Sequence, residues 1–363
     1  MGPIRVLHIV PDLRAAGVET FIMNMYRHID REKVQFDFLV HYKTRAFYDD
    51  EVEKMGGRIF RIPVREGMSF PRYLIELNRF FKKHKEYKII HGHMDSFGFF
   101  YSIIARLNGV KIRISHSHVA ATEPTLKGFL KTVLNRFWKF SVSDYFACSK
   151  KAGCYMYGKN SKFTVINNAI DLSRFSFNEN AAYSIKSELG IEDKYVIGHI
   201  GCFEPQKNHI FLLKIFKEIL KKKSNAVLVL VSTGGLFEKI QKDAESMGIR
   251  DKVLFLGVRK DTERLYQAFD VFVMPSLFEG LPVTGIEAQA CGVPCIFSTE
   301  VTQEVELLPT TQFMSLSESP SQWAAKVLEL TQSKRIEERL PYLEKYNIKL
   351  EVKKLEEWYL EHA

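Results

Sequence analysis

Short apolar runs recur along the chain, and longer stretches with helical spacing fill the intervals between them. In the first half the runs are RVLHIV (5–10), VQFDFLV (34–40), RIFRI (58–62), KIIHGH (88–93), KIRIS (111–115), DYFAC (144–148) and FTVI (163–166). In the second half YVIGHIG (195–201), AVLVLVS (226–232), KVLFLG (252–257), VFVMP (271–275) and PCIF (294–297) repeat the scheme. Strands spaced by helices of roughly 10–15 residues argue for parallel βαβ units. Two such blocks predict an α/β protein of two doubly wound parallel-sheet domains. Polar and turn residues cluster in NNAIDLSRFSFNEN, which puts the seam between domains of 1–175 and 176–348. The last segment, KYNIKLEVKKLEEWYLEHA, reads as a linker and a final helix over 349–363.

Open α/β sheets bind ligands beyond the carboxyl ends of their strands. The residues that follow each run are therefore the chemical candidates. They are PDLRAAGVET, HGHMDS and SHSH in the first domain, and CFEPQKNH, TGG, VRKD and SLFEGLPVTG in the second. The expectation is that the two sets face each other across a cleft.

Composition narrows the class. At 363 residues and 46% apolar, the chain suits two soluble cores. No apolar run approaches the roughly 18 residues that a membrane span needs, and MGPIRVLHIV lacks signal-peptide anatomy. Five cysteines, an odd number without metal spacing, fit a reduced compartment, so a cytoplasmic location is expected. The net charge of +9 is uneven. Residues 1–175 carry 29 Lys and Arg against 16 Asp and Glu, and the remainder 23 against 27. The first half is therefore +13 and the second −4, which suggests an anionic surface as a partner of the first. TLKGFLKTVLNRFWKF (125–140) and RYLIELNRFFKKHKEYK (72–88) mix aromatics with basic residues, the pattern of interfacial helices. Peripheral contact with the inner face of an anionic membrane is the expectation, and a lipid-linked saccharide acceptor follows from it. Charge alone suggests nucleic acid, and no recognised motif backs it.

The sharpest chemistry lies in FEGLPVTGIEAQACGVP (278–294). A helix starting near Val283 offers unpaired amides and a positive dipole end to a phosphate. Glu287 lies about one turn in and Glu279 in the preceding loop, and carboxylates accept bidentate bonds from vicinal sugar hydroxyls. The bland alternative is a capping acid and a solvated glutamate.

This segment resembles the E-x7-E signature of retaining GT-B glycosyltransferases of family 4. GCFEPQKNH is similar to that family's Gly-Arg-Phe…Lys-Asn loop, AAGVETFIMN to its N-terminal Gly-Gly-x-Glu turn, VINNAIDLSRF to its interdomain segment and FLGVRKD to its base-binding turn. The resemblance runs through essentially the whole chain in order, with exopolysaccharide and capsule enzymes the nearest in flavour. It implies the GT-B fold of two Rossmann-like domains, with the final helix crossing back to the first. It also implies retaining transfer of a hexose from a nucleotide sugar, UDP-linked, to a saccharide acceptor in surface polysaccharide synthesis. No cofactor or metal is expected, since the chain has no DxD motif.

Site roles follow from the same resemblance. Glu287 holds the ribose and Glu279 the donor hexose. Gly280 and the amides around Leu281, Val283 and Thr284 hold the diphosphate, with Lys207 as its cation. Backbone groups of Val258 and Arg259 read the base. His116, with His118 second, orients hydroxyls near the reacting carbon, and Gly17 belongs to the turn that approaches the phosphates. Two positions depart from the pattern. Ala16 replaces a glycine of that turn, and Cys202 replaces an arginine beside the diphosphate. These departures motivate a second reading, a catalytically weakened GT-B protein acting as a binding or scaffold subunit.

Overall fold

The computed structural model describes residues 2–94, 97–118, 141–330, 335–336 and 341–363. The basic aromatic segment 125–140 lies outside the described residues. The chain divides into two units, one formed by Met1–Ala169 with Ile348–Ala363 and the other by Ile170–Asn347.

Unit 1 is built on seven strands: β1 Ile4–Ile9, β2 Val34–Val40, β3 Ile59–Arg61, β4 Ile89–Gly92, β5 Ile112–Ser117, β6 Asp144–Ala147 and β7 Thr164–Val165. All pair in parallel, in the order β3-β2-β1-β4-β5-β6-β7. Every residue of β2 is buried, as expected of a strand covered on both faces. Its one charge, Asp37, is fully buried. Arg5 (2.6 and 2.5 Å), the Tyr87 hydroxyl (2.7 Å) and the Arg58 amide (2.7 Å) all donate to it, and without such partners a buried carboxylate is costly.

One face of this sheet is covered by helices Gly17–His28 and Ile348–His362, the other by Phe70–Lys83 and Gly98–Leu107. The final helix turns one stripe, Ile348, Val352, Leu355 and Tyr359, into the core. In Phe70–Lys83 the residues Tyr73, Leu77, Phe80 and Phe81 are buried in the same way. The aromatics of 72–88 are thus largely spent on the core, and the helix leaves Ile75 and Phe70 as its exposed large apolar groups.

Unit 2 has six strands: β8 Tyr195–Ile200, β9 Ala226–Val231, β10 Val253–Phe255, β11 Val271–Met274, β12 Cys295–Ser298 and β13 Thr311–Met314. They are parallel in the order β10-β9-β8-β11-β12-β13. Helices Glu179–Leu189, Thr262–Ala268 and Val283–Ala290 pack on one face, and His209–Lys222, Phe237–Ser246 and Pro320–Leu330 on the other. The boundary falls at 169/170 rather than 175/176. Ile170, Leu172 and Phe175 are buried in the core of unit 2, and the Ile170 amide donates to the Tyr346 carbonyl (2.9 Å). The edge strand β13 was not expected from the sequence.

In both sheets strand order reverses beside the first strand, between β1 and β4 and between β8 and β11. Such a switch point opens a crevice at the strand ends, and ligands bind there.

Candidate active site

In unit 2 the loops that leave β8 and β11 meet at the switch point. The Gln206 carboxamide donates to the Phe278 carbonyl (2.8 Å), and the Leu277 amide donates to the Gln206 carbonyl (2.8 Å). These bonds bring Lys207 and Glu279 together, and their side chains form an ion pair at 2.5 Å with 17% and 9% of their surfaces exposed. The backbone aims Lys207 there. Pro205–Lys207 forms one tight turn, and Asn208 reverses the chain in a left-handed conformation (φ 56°) before helix His209–Lys222. Asn tolerates that conformation better than most residues. Gly201 leaves room for the lysine stem, since a Cβ there would lie 3.2 Å from Lys207 Cε and 3.1 Å from His199 Nε2. Cys202 is half-buried beside Ser232, whose hydroxyl lies 3.8 Å from its Sγ.

Glu287 sits on the buried side of helix Val283–Ala290 and is 6% exposed. Gln289 fixes this helix: its carbonyl oxygen accepts from the amides of Leu307 (2.9 Å) and Leu308 (3.1 Å) and from the Thr311 hydroxyl (2.7 Å). The Tyr266 hydroxyl lies 2.8 Å from Glu287 Oε2 and 3.2 Å from the Thr284 carbonyl. Burial pushes the Glu287 carboxyl up to about 7, against the opposing pull of the Tyr266 hydrogen bond. When protonated, Glu287 donates to Tyr266 and frees the tyrosine proton for Thr284. When ionised, it is a strong acceptor for hydroxyl donors. Leu281 and Val283 are buried at the loop-to-helix transition, so their contribution to an anion site is through backbone. Val258 is 39% exposed in the turn after β10, and the Arg259 guanidinium is tied to Asp261 (2.8 and 2.7 Å) and Glu188 (3.0 Å).

In unit 1 the loop after β1 leads into helix Gly17–His28. Ala16 is its N-cap in an extended conformation (φ −131°), which alanine adopts without strain, and a Cβ on Gly17 would meet nothing within 4 Å. Glu19, in the first turn, is buried, and burial pushes its carboxyl up to about 7.

At this sheet's switch point five histidines converge: His8 from β1, His91 and His93 at the end of β4, and His116 and His118 at the end of β5. His8 and His93 are 3.1 Å apart, His93 and His118 2.9 Å, and His91 and His116 3.0 Å, in each case nitrogen to nitrogen. His91 Nδ1 also meets the Tyr359 hydroxyl (2.5 Å). Burial pushes His8 down to about 3 and His91, His93 and His116 well below the usual imidazole range. His116 is 1% exposed, so of the two rings on β5 the half-buried His118 has the accessible surface. The alternation that puts both rings on one side of the strand also seats the earlier one deeper.

Sequence reasoning missed His8, Tyr266, Gln206 and Tyr359. A polar ring inside RVLHIV was the available signal for His8. The others are partners at long separation, which no local pattern marks.

Two doubly wound sheets, a basic residue and an acidic residue paired at a strand-order switch, and a buried acid one turn into the adjoining helix define a GT-B glycosyltransferase. Residues 15–174 match the model described as Glycosyltransferase Family 4, and 183–348 the model described as Glycosyl transferases group 1. The chain is 37% identical over 333 residues to the putative glycosyltransferase EpsF of Bacillus subtilis, covering 89% of this chain and 86% of the relative. It is 31% identical over 318 residues to an Escherichia coli UDP-Gal:alpha-D-GlcNAc-diphosphoundecaprenol alpha-1,3-galactosyltransferase, covering 81% and 79%. A solved structure of Anabaena HepE in complex with UDP and glucose superposes with a TM-score of 0.80 at 14% identity, over 98% and 99% of the two chains. The chain belongs to the family 4, group 1 glycosyltransferases.

Proposed function

We infer that the protein transfers a hexose, with retention of configuration, from a UDP-linked donor to a saccharide acceptor on a lipid carrier in surface polysaccharide synthesis. The observation that carries this reading is the Lys207–Glu279 pair at the switch point of unit 2 (2.5 Å). A diphosphate entering there competes with Glu279 for the ammonium, and Glu279 is then free to accept from hexose hydroxyls. Lys207 and the amides at the start of helix Val283–Ala290 supply the countercharge that other transferases take from a metal ion. Glu287 takes the ribose, and the turn at Val258 and Arg259 takes the base. The UDP donor and lipid-linked acceptor in the name of the galactosyltransferase relative, and the UDP in the HepE complex, support the choice of substrates.

In the transfer itself the bond from the anomeric carbon to the β-phosphate oxygen breaks as the acceptor oxygen bonds to that carbon. The acceptor proton passes to the departing phosphate oxygen. The contribution of the protein is positioning and electrostatic stabilisation of the leaving diphosphate. In unit 1 the half-buried His118, rather than the buried His116, is the ring of this pair that can meet a hydroxyl.

A thermal-shift screen of UDP-, GDP- and ADP-sugars tests the donor assignment, and stabilisation by UDP-sugars alone is the expected result. Glu287→Ala should weaken free UDP by roughly 1.5–3 kcal/mol. Glu279→Ala removes the competitor for Lys207, so it should hold or tighten UDP and weaken only the UDP-sugar. Equal losses for both ligands in both variants would rule out this division of roles. Cys202 favours the second reading, a binding subunit, and tight UDP-sugar binding without transfer or donor hydrolysis would establish it.

A further inference from the structure

The five-histidine cluster is larger than hydroxyl orientation requires. We propose that His93, His116 and His118 form a binding site for one divalent transition-metal ion of the zinc class, with a fourth position open to water. The inference rests on the geometry of unit 1 alone and is independent of the donor assignment in unit 2.

One ring nitrogen from each of the three histidines lies within 4.8 Å of the other two. Imidazole nitrogens bound to zinc at about 2.0–2.1 Å in a tetrahedron stand about 3.3 Å apart. Even at the widest spacing, each nitrogen would move by less than about 1 Å to reach that geometry. Three neutral imidazoles with an open fourth position are a donor set that zinc accepts.

The surrounding bonds fit the ligand roles. His116 Nε2 is buried with no hydrogen-bond partner among the described residues, a cost that a metal bond removes. Its other nitrogen, Nδ1, meets His91 Nε2 at 3.0 Å, and His91 Nδ1 meets Tyr359 at 2.5 Å. His93 points Nδ1 to His118 and keeps Nε2 on His8 at 3.1 Å. With the protons on His93 Nε2 and His116 Nδ1, both rings present a lone pair to the ion while a second histidine accepts from the opposite side. Metal-bound histidines are usually oriented by such outer partners. His118 is the one ring of the three that is partly exposed. His8, His91 and His93 satisfy the same spacing test. Because His93 belongs to both triads, the cluster holds one ion rather than two.

The test uses the full chain without a polyhistidine tag, stripped with a chelator and titrated with Co2+ and then Zn2+. The expected result is one equivalent of Co2+ with the intense visible bands of a tetrahedral site, displaced by one equivalent of Zn2+ and accompanied by a rise in the melting temperature. His118→Asn, at the accessible edge, should abolish the bands while far-ultraviolet circular dichroism stays native. His91→Asn removes an outer partner and should weaken the ion by roughly 10- to 100-fold. Absence of tetrahedral bands in the folded wild type would overturn the proposal and leave the cluster a hydrogen-bonded network. Bands that persist unchanged in His118→Asn would overturn it as well.

Discussion

At the scale of single residues, burial governs the charge state of Glu287. Glu287 has a usual value of 4.5 that burial raises to about 7. A raised folded-state value means that the folded protein binds the proton more tightly than the unfolded chain. The resulting stabilisation is complete below 4.5 and is lost as the pH rises through 7, for a total on the order of 3 kcal/mol. Glu287→Gln should therefore be more stable than the wild type near pH 8 and equal to it near pH 4. Denaturant melts of the two proteins at both pH values check this, and a pH-independent difference would refute it. Cys202 is the other informative residue. A cation beside the diphosphate stabilises the departing charge more than the bound donor, so it raises turnover. Cys202→Arg should raise turnover by about ten- to a hundredfold, equivalent to about 1.4–2.8 kcal/mol, and tighten free UDP. Steady-state transfer with nucleotide affinity alongside measures both, and a fall in either means that the loop is built around the cysteine.

At the scale of elements, the strands were legible because each is a parallel strand marked by a short apolar run, and most are buried. The twelve expected strands all occur, with ends shifted by a residue or two. The missed strand, β13, is short and lies at the sheet edge, and its residues TQFM are only partly apolar and partly buried. Helix Ile348–His362 is charged on its outer side, and sequence periodicity does not say which core takes its inner stripe. The structure gives Leu355 and Tyr359 to the core of unit 1. Leu355→Ala should thus cost about 2–5 kcal/mol in the unfolding of that unit. UDP should protect unit 2 and leave this loss uncorrected. Calorimetry with and without UDP separates the cases, and a UDP-restored transition would place the helix elsewhere.

At the scale of the whole molecule, charge is divided unevenly between the units. Unit 1, with its returning helix, carries +12 and unit 2 carries −3. Among the described residues no helix is long and apolar enough to cross a membrane. If the basic charge meets a lipid surface, replacing Lys127, Lys131, Arg136 and Lys139 with Gln should weaken binding to anionic vesicles by about 1 kcal/mol per residue. UDP affinity should stay constant. Equal vesicle sedimentation of the two proteins would end the membrane reading. Helix Phe70–Lys83 is a poorer candidate for that contact, since Tyr73, Leu77, Phe80 and Phe81 already face the core.

The sequence by itself determined the class of fold and pointed to the strand-end loops as the place to look for chemistry. Apolar period and spacing are local properties, and in a parallel sheet they dictate that loops with functional residues follow the strands. It also marked Lys207, Glu279 and His118 in such loops, Glu287 in the helix that follows one and His116 near the end of a strand. Only the tertiary structure decided what those residues do to one another. Lys207 and Glu279 are 72 positions apart and pair because two strands are neighbours across a reversal of order. Glu287 is pushed up to about 7 because a closed core buries it, against the pull of the Tyr266 hydrogen bond. His8 joins His93 from 85 positions away. Sheet order is a long-range choice, and no local pattern records which strand ends it brings together.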